Sequence, residues 1–169
     1  MSGDDDHDHH PHAHDPHHDH GACVQDALRR AEAQCARSGA RLTPLRRRVL
    51  ELVWSNHKPH GAYALLEALE RESDRKIAPL TVYRALDFLV EQGLAHRIES
   101  LNAYVGCSAP GDGHSAQFLV CERCGCAQEI DDAAISAAVG DSAAARGFAV
   151  RRKTIEISGV CRICQELPR

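Results

Sequence analysis

Residues 81–92, TVYRALDFLVEQ, decide the fold that this sequence predicts. Their apolar side chains recur at the spacing of one helix face, at Val82, Ala85, Leu86, Leu89 and Val90. Gly93 follows as a residue that ends helices. We therefore expect an amphipathic helix that buries this apolar face.

The segments on either side of this helix predict a winged helix-turn-helix. Upstream, helical patterns cover about residues 24–37, residues from Thr43-Pro44 onward, and residues 62–71. Downstream, residues 95–99 and 103–107 have the pattern of two short strands joined by a turn. Helices followed by a hairpin are the element order of a winged helix.

The face opposite the apolar stripe carries Thr81, Tyr83 and Arg84 near the start of the helix. An arginine there can bond guanine O6 and N7, and a tyrosine can pack on a thymine methyl or reach a phosphate. A solvated helix face has the same composition. The wing that follows favours DNA recognition.

Past residue 108 the pattern changes. Residues 109–116 contain Pro110, Gly111 and Gly113, which predicts a hinge. Strands are expected over about 117–121, 127–130 and 149–158, with an Ala-rich helix over 132–146. The chain is therefore predicted to be α+β, with a winged helix over 22–108, the hinge over 109–116 and a small α/β metal-binding domain over 117–169.

Two CxxC pairs, Cys121 with Cys124 and Cys161 with Cys164, predict a zinc site with four thiolate ligands. Each pair lies at a strand end, where two thiolates can approach one ion. The site would staple the first and last strands of the C-terminal domain.

A second, sparser set comprises His96, Cys107, His114 and Glu129. Each residue alone is weak evidence, because a single His is most often structural or exposed. Together they straddle the predicted domain junction, where one ion would fix the angle between the halves. A thiolate among the ligands favours zinc over iron or manganese, so we expect two zinc ions per protomer.

The net charge of −4 divides unevenly along the chain. Residues 1–20 contain six Asp and no Lys or Arg, so residues 21–169 carry a net charge of +2. Eight basic side chains lie between residues 23 and 58 against three acidic ones. This composition suits a surface that faces phosphate, and equally a solvated face.

Residues 1–21 hold eight His interleaved with Asp and Pro. Such a tail buries no core, so we expect disorder and loose binding of zinc or nickel. An expression tag is the alternative, and the irregular Asp-His-Pro pattern favours a native tail.

The sequence also narrows location and class. It has no apolar run of transmembrane length, and its acidic start is unlike a signal peptide. We expect a cytoplasmic protein, in which eight cysteines indicate metal or thiol chemistry rather than disulfides. The sequence contains no zinc deaminase signature and no legible open zinc site with a general base, so no enzyme is expected.

Several motifs carry a family resemblance. The runs RLTPLR at 41–46 and TVYRAL at 81–86, together with the CxxC pairs, resemble the ferric uptake regulator superfamily. Within it, HRIES at 96–100, NAYVGC at 102–107 and HS at 114–115 resemble the zinc uptake regulator branch. The likeness covers about residues 24–165.

This resemblance implies a homodimeric repressor that binds a pseudo-palindromic operator with zinc as corepressor, and the C-terminal domain as its dimerisation domain. It implies a structural role for the four-cysteine site and a regulatory role for His96, Cys107, His114 and Glu129. It also adds Tyr63 to the DNA contacts. The iron- and peroxide-sensing branches lack the regulatory thiolate, so Cys107 argues against them.

Two other functions stay open at this point. Residues 1–21 would lead a zinc-buffering metallochaperone, and the CxxC pairs would serve a thiol redox switch. Cys126 offers a thiolate that competes with the four-cysteine site, whereas Cys23 and Cys35 are expected to be structural or exposed thiols.

Overall fold

The structure, a computed structural model, describes residues 20–56, 58–72, 76–110, 116–151 and 153–167. The predicted disorder of residues 1–21 concerns residues outside these ranges, except residues 20 and 21, which lie in the first helix. His114 and most of the predicted hinge also lie outside the described residues. Ala116, predicted as the end of the hinge, is already in a strand.

The described residues form helices and strands in the order that the sequence predicts, with a few additions. The helices are α1 His20–Ser38, α2 Pro44–Val53, α3 Ala62–Arg71, α4 Pro79–Glu91, α5 Ala133–Ala144 and α6 Arg162–Glu166. The strands are β1 His60–Gly61, β2 Ala95–Ile98, β3 Ala103–Gly106, β4 Ala116–Cys121, β5 Ala127–Ile130 and β6 Thr154–Gly159. The two-residue β1 and the short α6 were not predicted.

Helix α4 is the helix predicted over residues 81–92, and it begins two residues earlier. Pro79 occupies its first turn, where the missing N–H removes no helix hydrogen bond. Phe88, which the predicted stripe omits, is also buried, and the Arg46 guanidinium lies 3.6 Å from the centre of its ring. The cation thus covers the outer side of an otherwise apolar face.

Helices α1 to α4 share one core. Thr43 caps α2 as predicted, because its side chain accepts the Arg46 backbone N–H at 3.4 Å. The fully buried side chains of this core include Leu28, Val49, Leu50, Leu65, Leu86 and Leu89.

The first sheet, in the order β1-β3-β2, is antiparallel and forms the wing. Its central strand lies close to the end of α2. A Cβ atom on Gly106 would overlap the Trp54 indole, so any larger residue there would require the indole to move.

The second sheet has the order β5-β4-β6, with β4 antiparallel to β5 and parallel to β6. The parallel pairing aligns Cys121 with Gly159. The two CxxC pairs therefore meet at one end of the sheet, as the sequence predicts.

The wing packs on one face of this second sheet. Ile98 of β2 is buried together with Phe118 and Val120 of β4. The alternate β4 residues point to the other face, where the Gln117 amide donates to the Asp132 carbonyl and to Ser136 Oγ of α5 at 2.9 and 3.0 Å. The second sheet is therefore held between the wing and α5.

Candidate metal centres and nucleic-acid interface

The four predicted thiolate ligands lie together at the end of the second sheet. The sulfur atoms of Cys121, Cys124, Cys161 and Cys164 are all within 4.8 Å of one another. Around a tetrahedral zinc with Zn–S bonds of about 2.3 Å, sulfurs lie about 3.8 Å apart. The distance from Cys124 Sγ to Cys161 Sγ is 3.9 Å, so the donor set fits zinc in both chemistry and spacing.

Backbone hydrogen bonds shape this cluster. After β4 the chain turns back on itself, with the Gly125 N–H donating to the Cys121 carbonyl at 2.8 Å and the Cys121 N–H donating to the Cys126 carbonyl at 2.9 Å. Gly125 has a φ of +70°, a conformation that glycine adopts without strain. The second pair lies on the first turn of α6, where Cys161 precedes the helix.

The backbone also prepares one thiolate. Hydrogen bonds from the backbone N–H groups of Cys161 and Cys124 lower the pKa of Cys121 to about 5. A hydrogen bond to the Cys161 thiol, together with burial, raises the pKa of Cys164 to about 12. Close sulfurs resist carrying several negative charges at once, and a divalent cation would remove that cost.

Cys126 is a fifth sulfur beside this cluster. It is buried, and its Sγ lies 3.3 Å from Cys124 Sγ. Burial and the neighbouring thiols raise the pKa of Cys126. It lies outside the group of four sulfurs that are all within 4.8 Å of one another, and this position separates it from the four predicted ligands.

Three members of the sparser set also meet. Donor atoms of His96, Cys107 and Glu129 lie within 4.8 Å of one another, and Cys107 is fully buried. His96 lies in wing strand β2 and Cys107 directly follows β3, whereas Glu129 belongs to β5 of the second sheet. Imidazole, thiolate and carboxylate are a donor set that zinc accepts.

Glu129 is the centre of the contacts between the two halves at this point. Its Oε1 lies 3.0 Å from His96 Nε2, and its Oε2 accepts the Ser108 N–H at 3.0 Å and the Ser108 hydroxyl at 2.7 Å. Burial alone would raise the pKa of Glu129, but these contacts with His96 and Ser108 bring it down to about 2. The carboxylate is thus charged and oriented.

Sequence reasoning missed Ser108. Its only feature in the sequence is its position directly after Cys107. No motif spacing marks a serine at that position as functional. Its role depends on Glu129, which lies 21 residues further along the chain.

The predicted DNA contacts differ in exposure. Tyr63 on α3 is 67% exposed, and Thr81 and Arg84 on α4 are exposed. Tyr83 is half-buried and packs against the helical core, so less of its side chain is available than the sequence pattern implied.

Several arginines of the basic segment between residues 23 and 58 form ion pairs within the fold. Arg48 Nη2 lies 2.5 Å from Glu72 Oε1 and its Nη1 lies 2.6 Å from Glu51 Oε2, while Arg47 pairs with Glu32 and Glu51. The charge excess between residues 23 and 58 is thus partly neutralised by the fold. For these arginines the reading as a solvated face is favoured over phosphate contact.

Among the residues that the structure describes, no helix has the length and apolar character of a membrane span.

A winged helix followed by a small sheet with two clusters of metal ligands defines a class of two-part, metal-binding winged-helix proteins. The chain belongs to the ferric uptake regulator family, whose family model matches residues 37–158. The comparisons thus confirm the superfamily that the sequence motifs suggested.

Within this family the chain is similar to the zinc uptake regulation protein of Escherichia coli, with 41% identity over 145 residues, 85% of this chain and 84% of the relative. A zinc uptake regulator solved in complex with zinc and DNA has a TM-score of 0.77 and 41% identity, covering 85% of this chain and 95% of that one. Holo XcZur also gives a TM-score of 0.77, at 41% identity and coverages of 84% and 99%. Apo XcZur gives 0.50, at 40% identity and coverages of 84% and 97%.

Proposed function

We propose that the chain is a zinc-responsive DNA-binding repressor that acts as a homodimer. The observation that carries this proposal is the cluster of His96, Cys107 and Glu129, which joins the wing to the second sheet. Relatives at 41% identity are a zinc uptake regulation protein and a zinc uptake regulator in complex with zinc and DNA. The genes it represses would be those for zinc uptake.

The proposal divides the chain into a winged-helix domain over 22–108, a hinge over 109–116 and a metal-binding dimerisation domain over 117–169. Helix α4 enters the major groove, with Arg84 on a base edge, Thr81 and Tyr83 beside it and Tyr63 of α3 on the backbone. His114 completes the regulatory ligand set, and Cys121, Cys124, Cys161 and Cys164 hold the structural zinc.

The regulatory site controls DNA binding through the arrangement of the two halves. Two of its ligands lie on the wing and one on the second sheet, so these three converge only when the wing is docked. Zinc shifts the population toward the docked arrangement in proportion to its preference for it. A two-fold dimer then presents both α4 helices to half-sites one helical turn apart.

Exposed apolar side chains on the C-terminal half support the dimer. Leu119 on β4 and Ile157 on β6 are register partners, and they are 41% and 44% exposed. Val139 and Phe148 add further exposed apolar area, with Phe148 at 69%. Neighbouring exposed apolar side chains are typical of a protein interface.

The test is a titration of buffered free zinc against a labelled palindromic DNA, followed by fluorescence anisotropy. The wild type is compared with Cys107→Ser and with Cys23→Ser, a thiol that belongs to neither metal cluster. We expect DNA affinity to rise with zinc in the wild type and in Cys23→Ser, and to lose its zinc response in Cys107→Ser. DNA binding that ignores zinc in the wild type would reject the proposal.

A thiol redox switch is the second candidate, because Cys126 lies 3.3 Å from Cys124 within a cluster of five sulfurs. It predicts that a mild peroxide releases zinc and yields a Cys124–Cys126 disulfide, which mass spectrometry detects. The metallochaperone alternative depends on residues 1–21, and deletion of residues 1–19 tests it directly: the proposed repressor keeps its zinc response without them.

A further inference from the structure

The side chain of Glu156 on β6 reaches the turn of the wing. Its Oε1 accepts the Glu99 backbone N–H at 2.7 Å, and its Oε2 accepts the Ser100 backbone N–H at 3.1 Å. The partners are 57 and 56 residues apart in the chain. One carboxylate therefore connects the tip of the wing with the C-terminal sheet.

These contacts favour the charged carboxylate. Glu156 is half-buried, and burial alone would raise its pKa. Hydrogen bonds from the Ser100 side chain and from the Glu99 and Ser100 backbones outweigh burial, so the pKa of Glu156 lies below its ordinary value. Hydrogen bonds to a charged acceptor are the stronger kind.

The register of the second sheet explains why Glu156 meets the wing. Phe118 on β4 pairs with Glu129 on β5 and with Glu156 on β6. Side chains of paired residues share a face of the sheet, and Phe118 lies on the face that packs against Ile98 of the wing. Glu129, Phe118 and Glu156 thus form one row beneath the wing.

Each member of this row contacts a different part of the wing. Glu129 contacts His96 and Ser108 at its base, Phe118 contacts Ile98 in its middle, and Glu156 contacts the turn at its tip. Glu129 belongs to the proposed zinc site, whereas Glu156 is separate from it.

The overall arrangement of this chain is more similar to the holo structure of one relative than to the apo structure of that relative. The TM-score is 0.77 against holo XcZur and 0.50 against apo XcZur, two structures of one protein at 41% and 40% identity to this chain. The two structures of that relative therefore differ in overall arrangement.

We infer that Glu156 is a positioning residue that docks the wing and so lowers the zinc concentration needed for DNA binding. This inference rests on the proposed function. The carboxylate contacts the wing turn only when the wing lies on the second sheet, so its hydrogen bonds stabilise the same arrangement that assembles His96, Cys107 and Glu129. Any interaction that stabilises that arrangement strengthens zinc binding, because less of the free energy of zinc binding is then needed to dock the wing.

The test compares Glu156→Gln with Glu99→Gln. Both remove one negative charge at the same turn, but the Glu99 side chain pairs within the wing, with its Oε2 3.3 Å from Arg97 Nε. The free-zinc midpoint of operator binding is measured by anisotropy for the wild type and both variants. Loss of hydrogen bonds to a charged group predicts a midpoint about tenfold higher in Glu156→Gln and an unchanged midpoint in Glu99→Gln.

A second measurement does not depend on DNA. Hydrogen exchange of the zinc-loaded protein reports on the peptide that covers residues 96–102, and we expect faster exchange at residues 99 and 100 in Glu156→Gln and in Glu156→Ala. Zinc content and the thermal midpoint confirm that each variant is folded. DNA affinity at saturating zinc should return to within about twofold of the wild type, which a misfolded variant would not do.

The outcomes separate the two ideas. A wild type whose DNA binding ignores zinc refutes the proposed function, and this inference with it. A wild type that responds to zinc, beside a Glu156→Gln variant with the same midpoint and the same exchange at residues 99 and 100, refutes only the role of Glu156.

Discussion

The five clustered sulfurs show how single residues with the same chemistry acquire different roles. Cys121 accepts the Cys161 N–H at 3.3 Å, and its pKa is lowered to about 5. Cys126 lies beside Cys124, yet burial and the nearby thiols raise its pKa. Position therefore separates the ligands from the extra thiol, because Cys126 lies outside the group of four sulfurs within 4.8 Å of one another.

This difference makes a prediction for zinc content. Cys121→Ala should lose the structural zinc. We expect the thermal midpoint to fall by on the order of 10 °C or more, because the loss of a structural zinc destabilises a small domain by several kcal/mol. Cys126→Ala should keep that zinc and change the midpoint little. Zinc per protomer, measured by atomic emission after dialysis, decides it, and equal losses in both variants would make Cys126 a ligand.

The lowered pKa of Glu129 predicts how the free energy of unfolding depends on pH in the zinc-depleted protein. Its pKa is lowered from an ordinary 4.5 to about 2, so its contribution is fully present above pH 4.5 and is lost as the pH falls toward 2. That contribution is of the order of 3 kcal/mol. Urea unfolding of the wild type and Glu129→Gln between pH 3 and 7 should therefore show a difference in the free energy of unfolding that narrows as the pH falls below 4.5, and a constant difference would contradict the assignment.

The residues of the site were predictable to different degrees. The CxxC pairs were found because zinc thiolate sites impose a local spacing, and Cys107 and Glu129 were found because their residue types suit a metal. Ser108 and Glu156 carry no such mark. Their importance comes from partners 21 and 56 or 57 residues away, which a linear pattern does not reveal.

At the scale of elements, the wing and α2 depend on one close approach. Gly106 of β3 lies so near the Trp54 ring that a Cβ atom there would overlap it. Gly61 lies in β1, the strand that pairs directly with β3, and a Cβ atom added to it would meet nothing within 4 Å.

Gly106→Ala should therefore destabilise the protein by about 1–3 kcal/mol through overpacking, and Gly61→Ala by less than about 1 kcal/mol. Trp54 is the only tryptophan in the chain, so its fluorescence reports the displacement as well as the unfolding transition. Similar free energies of unfolding for the two variants would show that the indole moves aside at little cost.

The sequence predicted the elements that are long enough to show a hydrophobic period. Helix α4 followed from its stripe, although Phe88 was missed because Arg46, 42 residues away, completes its burial. Strand β1 and helix α6 have two and five residues, too few to show a period. Strand β1 forms because it pairs with β3. Helix α6 forms where the second CxxC pair turns toward the first CxxC pair.

At the scale of the whole molecule, the exposed apolar surface of the C-terminal half makes a prediction about assembly. Phe148 is 69% exposed, so replacing it costs little within one protomer but removes apolar area from the proposed interface. Phe148→Ser should raise the dimer dissociation constant about tenfold.

Leu80→Ser is the matched control, because Leu80 is 59% exposed on α4, in the other half of the chain. Sedimentation velocity over a range of protein concentrations compares the two variants with the wild type. Dissociation at the same concentration for all three would place the interface elsewhere.

The parallel pairing of β4 with β6 has a consequence for the chain as it leaves the ribosome. Helices α1–α4 and the wing strands β1–β3 are complete by residue 106, whereas Glu129, Glu156 and the second CxxC pair are synthesised later. Domains fold as units in the order of synthesis. A nascent chain thus presents its operator-recognition surface before Glu129, the last of the proposed regulatory ligands, has been added and before the four-cysteine site at the end of the second sheet is complete.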